Sequence, residues 1–157
     1  MMTEYDSPGQ TSASKDRNWG LPTKGAIISA HPEKQTFVVG EPVRILVTVR
    51  NDSARPLPLL STDGITTYRL VAIQPNGTLA QKSERLLRAE STPSQAGVVT
   101  RSMTTLAPNT EATESLDATE LVQLPAGEYQ IVVIRKTVSW EDGFLFSNPI
   151  RIHVVKP

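Results

Sequence analysis

The segment Leu124-Pro125-Ala126-Gly127-Glu128-Tyr129, running directly into Gln130-Ile131-Val132-Val133-Ile134, constrains this chain more than any other. A proline fixes one backbone angle and a glycine two residues on frees another, so the chain turns sharply there. The run that follows is rich in β-branched residues, which fit a pleated strand. A tyrosine at the head of that strand is placed to send its hydroxyl back to the backbone it has just left. Gly127 and Tyr129 therefore read as a structural corner of an antiparallel sandwich. The corner restricts architecture and carries no chemistry of its own.

The rest of the chain agrees with that reading. In residues 43–50, Val43, Ile45, Val47 and Val49 alternate with Arg44, Leu46, Thr48 and Arg50, as a half-buried strand requires. Asn51-Asp52-Ser53 turns the chain, and Pro56 and Pro58 limit residues 56–60 to an edge. Residues 66–74 read as a strand closed by the hairpin signal Pro75-Asn76-Gly77. Further strands are predicted at 25–30, 36–39, 98–106, 111–116, 129–138 and 144–155. In the last, Ile150, Ile152 and Val154 share one face, and Pro149 predicts a bulge or an edge. Residues 82–88 could make a turn or two of helix, and Asp117 could cap a single turn at 117–121. The fold class is all-β: an immunoglobulin-like antiparallel β-sandwich of seven to nine strands over residues 19–157. Residues 1–18 are too polar to offset the cost of ordering and read as a disordered tail.

Composition excludes several functions. Sixteen Lys and Arg balance sixteen Asp and Glu, so no global field draws the chain to nucleic acid or to an anionic membrane. Cysteine is absent, which removes disulfides, thiolate nucleophiles and Cys-based metal sites. No apolar run occupies residues 1–20, so neither a signal peptide nor a membrane span is expected there. Taken at face value this points to the cytoplasm, or to export if a leader has been trimmed.

The residues offer little for catalysis. His31 and His153 are the only histidines, and His153 falls on the outward phase of its strand. Glu111, Glu114, Asp117 and Glu120 are scattered in a way that enforces no facing pair of carboxylates. No catalytic residue, metal ligand or cofactor is expected. Arg135-Lys136 reads as a solvated basic pair. Asn51 and Asn76 match the glycosylation sequon, which matters only in a secreted eukaryotic setting. The candidate binding residues are Trp140, Glu141, Asp142 and Phe144 at one turn, with Asp52 and Arg55 in the loop expected at the same end of the sandwich. Aromatic side chains at loop tips are common interface anchors.

The order of features also resembles a known group. Phe37-Val38-Val39-Gly40-Glu41-Pro42-Val43 leads into Leu46-Val47-Thr48-Val49-Arg50-Asn51-Asp52-Ser53. Tyr68-Arg69-Leu70-Val71 precedes Asn76-Gly77. Leu106-Ala107-Pro108-Asn109-Thr110-Glu111, the Gly127-Glu128-Tyr129 corner and Ser147-Asn148-Pro149-Ile150-Arg151-Ile152 complete the series. Across residues 19–155 this is similar to bacterial immunoglobulin-like domains, and more distantly to BsuPI-type intracellular proteinase inhibitors. The first resemblance implies a non-catalytic module that binds a protein partner through loops at one end. The second implies a domain that blocks a protease through its loops. A structural or adhesive domain of the cell envelope is a further expectation.

Overall fold

The computed structural model describes residues 18–61, 67–91, 102–137 and 143–157. In chain order they form β1 (Ala26–Pro32), β2 (Thr36–Val38), β3 (Arg44–Asn51), β4 (Leu57–Ser61) and β5 (Tyr68–Ile73). Helix α1 (Glu84–Ser91) follows, then β6 (Ser102–Leu106), β7 (Glu111–Asp117), a 3-10 turn (Ala118–Glu120), β8 (Gly127–Lys136), β9 (Phe144–Phe146) and β10 (Ile150–Val155). One sheet has the order β1-β3-β7. The other has the order β2-β10-β8-β5, with β9 also paired to β8. Strands β4 and β6 make a two-stranded ribbon, which contains Pro58 opposite Thr105. The all-β, immunoglobulin-like sandwich expected from the sequence is therefore the fold.

The core lies where alternation places it. Ile45, Val47 and Val49 of β3, Ile131 and Val133 of β8 and Ile152 and Val154 of β10 are all buried in one hydrophobic core. Each such side chain stabilises the fold by about 1.5–3 kcal/mol relative to leaving it in water. Phe37 of β2 is fully buried as well.

Two details depart from the expected sandwich. Among the described residues there are ten strands, because Ser147-Asn148-Pro149 interrupts the closing run and divides it into β9 and β10. Proline has no amide to give the ladder, and here Asn148 turns away to the other sheet. Its Oδ1 accepts from Ala30 N at 2.8 Å and its Nδ2 donates to Ala30 O at 3.1 Å. The second detail is that β2 runs parallel to β10, with Phe37 opposite Val154. The outer edge of β2 is partly closed by Glu41, whose carboxylate accepts from Val38 N at 2.8 Å. A charged side chain on an exposed edge discourages further strand pairing.

The corner at Tyr129 has the predicted form. Its hydroxyl donates to Pro125 O at 2.6 Å, four residues upstream, and its ring is buried. Gly127 takes a φ of +154°, so glycine meets a backbone requirement there. At the same end, Asp117 Oδ1 accepts from Thr119 N at 3.0 Å and caps the 3-10 turn, as expected. Ser83 precedes helix α1 and caps it, its hydroxyl accepting from Leu86 N at 3.0 Å, and Leu86 anchors the helix to the core.

Candidate functional site

The opposite end of the sandwich is where sequence reasoning placed the binding residues. Its geometry is organised by Asn51. This residue continues the inward phase of Ile45, Val47 and Val49 and is fully buried. Its Nδ2 donates to Arg55 O at 2.7 Å and to Leu106 O at 3.0 Å. Its Oδ1 accepts from Ser53 N at 2.9 Å and Ser53 Oγ at 2.8 Å. Its backbone N donates to Thr110 O at 3.0 Å, and its carbonyl accepts from Asn109 N at 2.8 Å. One side chain thus fastens the 52–56 loop to the turn between β6 and β7. Asn109 in that turn has a φ of +62°, a conformation that asparagine tolerates better than most residues. The sequon reading of Asn51 is overturned, because its amide is enclosed and already donates two hydrogen bonds.

On this fixed base the loop shows its side chains outward. Asp52 is exposed; its N donates to Gly25 O at 2.7 Å, and its carboxylate accepts from Arg50 Nε at 2.5 Å. Arg50 also reaches Glu111 Oε2 at 3.4 Å. Arg55 is exposed, and among the described residues its guanidinium has no bonded partner. Gly25, with φ at +82°, lies against Ser53: a Cβ there would be 2.7 Å from Ser53 Cβ. Gly143 lies beside Lys24 in the same way, 3.4 Å from Nζ to the position of an added Cβ. The 23–25 turn, the 52–56 loop and the start of β9 are therefore neighbours. Phe144 and Phe146 are part-exposed, with rings edge to face at 5.3 Å. Of the expected binding residues, Asp52, Arg55 and Phe144 come to one end of the molecule. Trp140, Glu141 and Asp142 lie outside the described residues.

A buried charged cluster behind this end was missed by the sequence reading. Arg135, expected to be solvated, is fully buried. Its Nε donates to Glu114 Oε1 at 3.0 Å, its Nη2 to Glu114 Oε2 at 3.3 Å, and its Nη1 to Lys136 O at 2.7 Å. Tyr68 donates its hydroxyl to the same Glu114 oxygen, and its ring centroid lies 5.5 Å from Arg135 Cζ. Glu114 comes from β7 of one sheet, Tyr68 and Arg135 from β5 and β8 of the other, so the cluster ties the two layers together. Burial opposes the charge on Arg135, but the hydrogen bonds and charge of Glu114 outweigh it and hold the pKa above its ordinary value. Burial, reinforced by the Glu114 carboxylate, drives the Tyr68 phenol far above the ordinary tyrosine range. The signal was present in the sequence: counting by two from Tyr129 through Ile131 and Val133 puts Arg135 on the inward face.

The two histidines stand apart from this cluster and from each other. His31 and His153 are both exposed, the first on β1 of one sheet and the second on β10 of the other. Among the described residues, no group of three or more His, Asp or Glu side chains could hold a metal ion. No helix among them is long and apolar enough to cross a membrane.

No protein-family model matches the chain. Nor does any curated protein sequence. Solved structures do match. The C-terminal domain of Wzt is 11% identical with a TM-score of 0.52, the match covering 88% of this chain and 77% of that one. A β-glucosidase from Listeria innocua, in complex with gluconolactone, is 13% identical with a TM-score of 0.43; the match covers 87% of this chain but only 17% of the glucosidase. A CARDB domain from Pyrococcus furiosus, in complex with di-metal ions, is 11% identical with a TM-score of 0.39, covering 87% of this chain and 100% of that one. At such identity the likeness to the Wzt domain speaks for the fold alone, and it is the sandwich fold already described. No similarity to BsuPI-type inhibitors emerges.

Proposed function

We propose that this protein is a non-catalytic module that binds a protein partner through the loop end built on Asn51. The observation that carries the reading is the contrast between the two sides of that loop. Inside, Asn51 spends its whole side-chain hydrogen-bonding capacity on Arg55 O, Leu106 O and Ser53. Outside, Asp52 and Arg55 stand exposed on a loop whose backbone is already fixed. A loop ordered before contact loses less entropy on binding than one that must order at that moment. Arg55 offers a planar cation and Phe144 an apolar ring, two of the residue types that interfaces favour. Among the described residues, the carboxylates nearest this end serve structure: Asp52 and Glu111 hold Arg50, and Glu114 holds Arg135. That use of acidic groups supports binding over catalysis.

The test is a pair of surface variants, Arg55→Glu and Phe144→Ala, followed by retention of partner from extract of the source organism. Stability should change by no more than about 0.5 kcal/mol for Arg55→Glu, as at an ordinary surface site. Retention of the partner that the unaltered protein captures should fall by tenfold or more. Undiminished retention by both variants would remove the loop end from the binding surface.

A further inference from the structure

A different surface, the outer face of the β2-β10-β8-β5 sheet, carries a second inference. Along β8 the outward residues are Glu128, Gln130, Val132, Ile134 and Lys136. Val132 stands opposite Val71 of β5, which is 42% exposed, and Gln130 stands between Ile73 of β5 and Arg151 of β10. Glu128 and Arg151 are both exposed, and neither has a hydrogen-bond or ion-pair partner among the described residues. They flank a groove of about 580 Å³ whose lining includes Ile73, Pro75 and Gln130. Among the described residues the face thus holds one unpaired carboxylate and one unpaired guanidinium, with His153 opposite Glu128 on β10 and an apolar stripe beside them.

We infer that this face pairs with the same face of a second copy of the chain. In a twofold contact each residue i meets j while j meets i, so a surface with one free charge of each sign is its own complement. Arg151 of one copy would meet Glu128 of the other, and the reverse, giving two equivalent ion pairs. The strand geometry places the axis. Glu128 and Arg151 lie on adjacent strands, two residues apart in register. With strands ~4.8 Å apart and a rise of ~3.4 Å per residue, the bisector of that diagonal runs on over β5 between Ile73 and Val71. The apolar side chains nearest the axis therefore meet their own copies, while the charges close the contact beside them. The chain's zero net charge puts no long-range repulsion between copies. This contact is independent of the loop end built on Asn51.

Sedimentation of the full chain tests it, from about 1 µM to about 1 mM, a range that spans moderate to weak affinities. The unaltered protein should shift from one to two copies as concentration rises. Arg151→Glu and Glu128→Arg should each raise the dissociation constant tenfold or more, because like charges then face one another. The double variant, with the charges exchanged, should recover most of the loss. At about 1 µM, where the single copy prevails, melting curves of all three variants should match the unaltered protein, since both positions are exposed and no stability is then drawn from the dimer. A single-copy species throughout the series, or a dimer indifferent to Arg151→Glu, would overturn the inference.

Discussion

Two side chains hold most of what is specific about this sandwich, and both are polar. The Tyr129 hydroxyl closes the corner onto Pro125 O; Tyr129→Phe should cost about 1 kcal/mol, read from the urea midpoint, with no change in fold. Arg135 is more consequential, because removing one member of a buried ion pair leaves the other without compensation. Arg135→Ala should destabilise toward the lower end of ~3–5 kcal/mol, since Glu114 keeps 30% of its side chain in water. Replacing the whole cluster with apolar residues, as in Glu114→Leu with Arg135→Met and Tyr68→Phe, should cost less than Arg135→Ala alone. The phenols add a pH dependence. Burial raises the pKa of both Tyr68 and Tyr129 in the folded state. A raised folded pKa means that the unfolded chain gives up these protons first, at about pH 10. Stability is thus complete below that pH and falls as pH rises beyond it. Tyr68→Phe should flatten the fall in unfolding midpoint above about pH 10; an unchanged slope would show that Tyr68 does not contribute it.

At the scale of elements, the loop end depends on how β3 finishes. Its inward phase runs Ile45, Val47, Val49 and then Asn51, so the position that would hold another aliphatic residue instead secures two loops. Asn51→Ala should leave Arg55 O and Leu106 O short of a donor and cost about 1–3 kcal/mol. Its distinctive effect should be local: faster hydrogen exchange at the Ser53 amide, which loses its bond to Asn51 Oδ1, with little change in β10. Uniform acceleration across both sheets would mean that Asn51 supports the whole fold and not this end. The closing strand makes a similar use of a polar residue. Pro149 announced an interruption in the sequence, but the pairing of Asn148 with Ala30 across the two sheets depends on a neighbour 118 residues away.

Seen whole, the molecule shows which features a sequence exposes and which it conceals. Strands β3 and β10 were legible because one face is apolar and the other mostly polar, β8 because it is a β-branched run, and the Tyr129 corner because a turn and a strand meet there with a known geometry. Position Arg135 was open to the same counting, yet its charge argued for solvent until Glu114 and Tyr68 were seen to meet it from other strands. The parallel pairing of β2 with β10 leaves no mark in either segment, since pairing partners are set by topology. The proposed binding end was half legible: the turns of Asp52 and Arg55 could be read, whereas the way Asn51 fixes them could not. The central claim is that this end is the surface a partner meets, and site-specific photo-cross-linking in cells of the source organism tests it most directly. A photoreactive residue in place of Arg55 should give a cross-linked product with one partner, and the same residue in place of Leu87, exposed on α1, should give none. No product at 55, or the same product from both positions, would contradict the account.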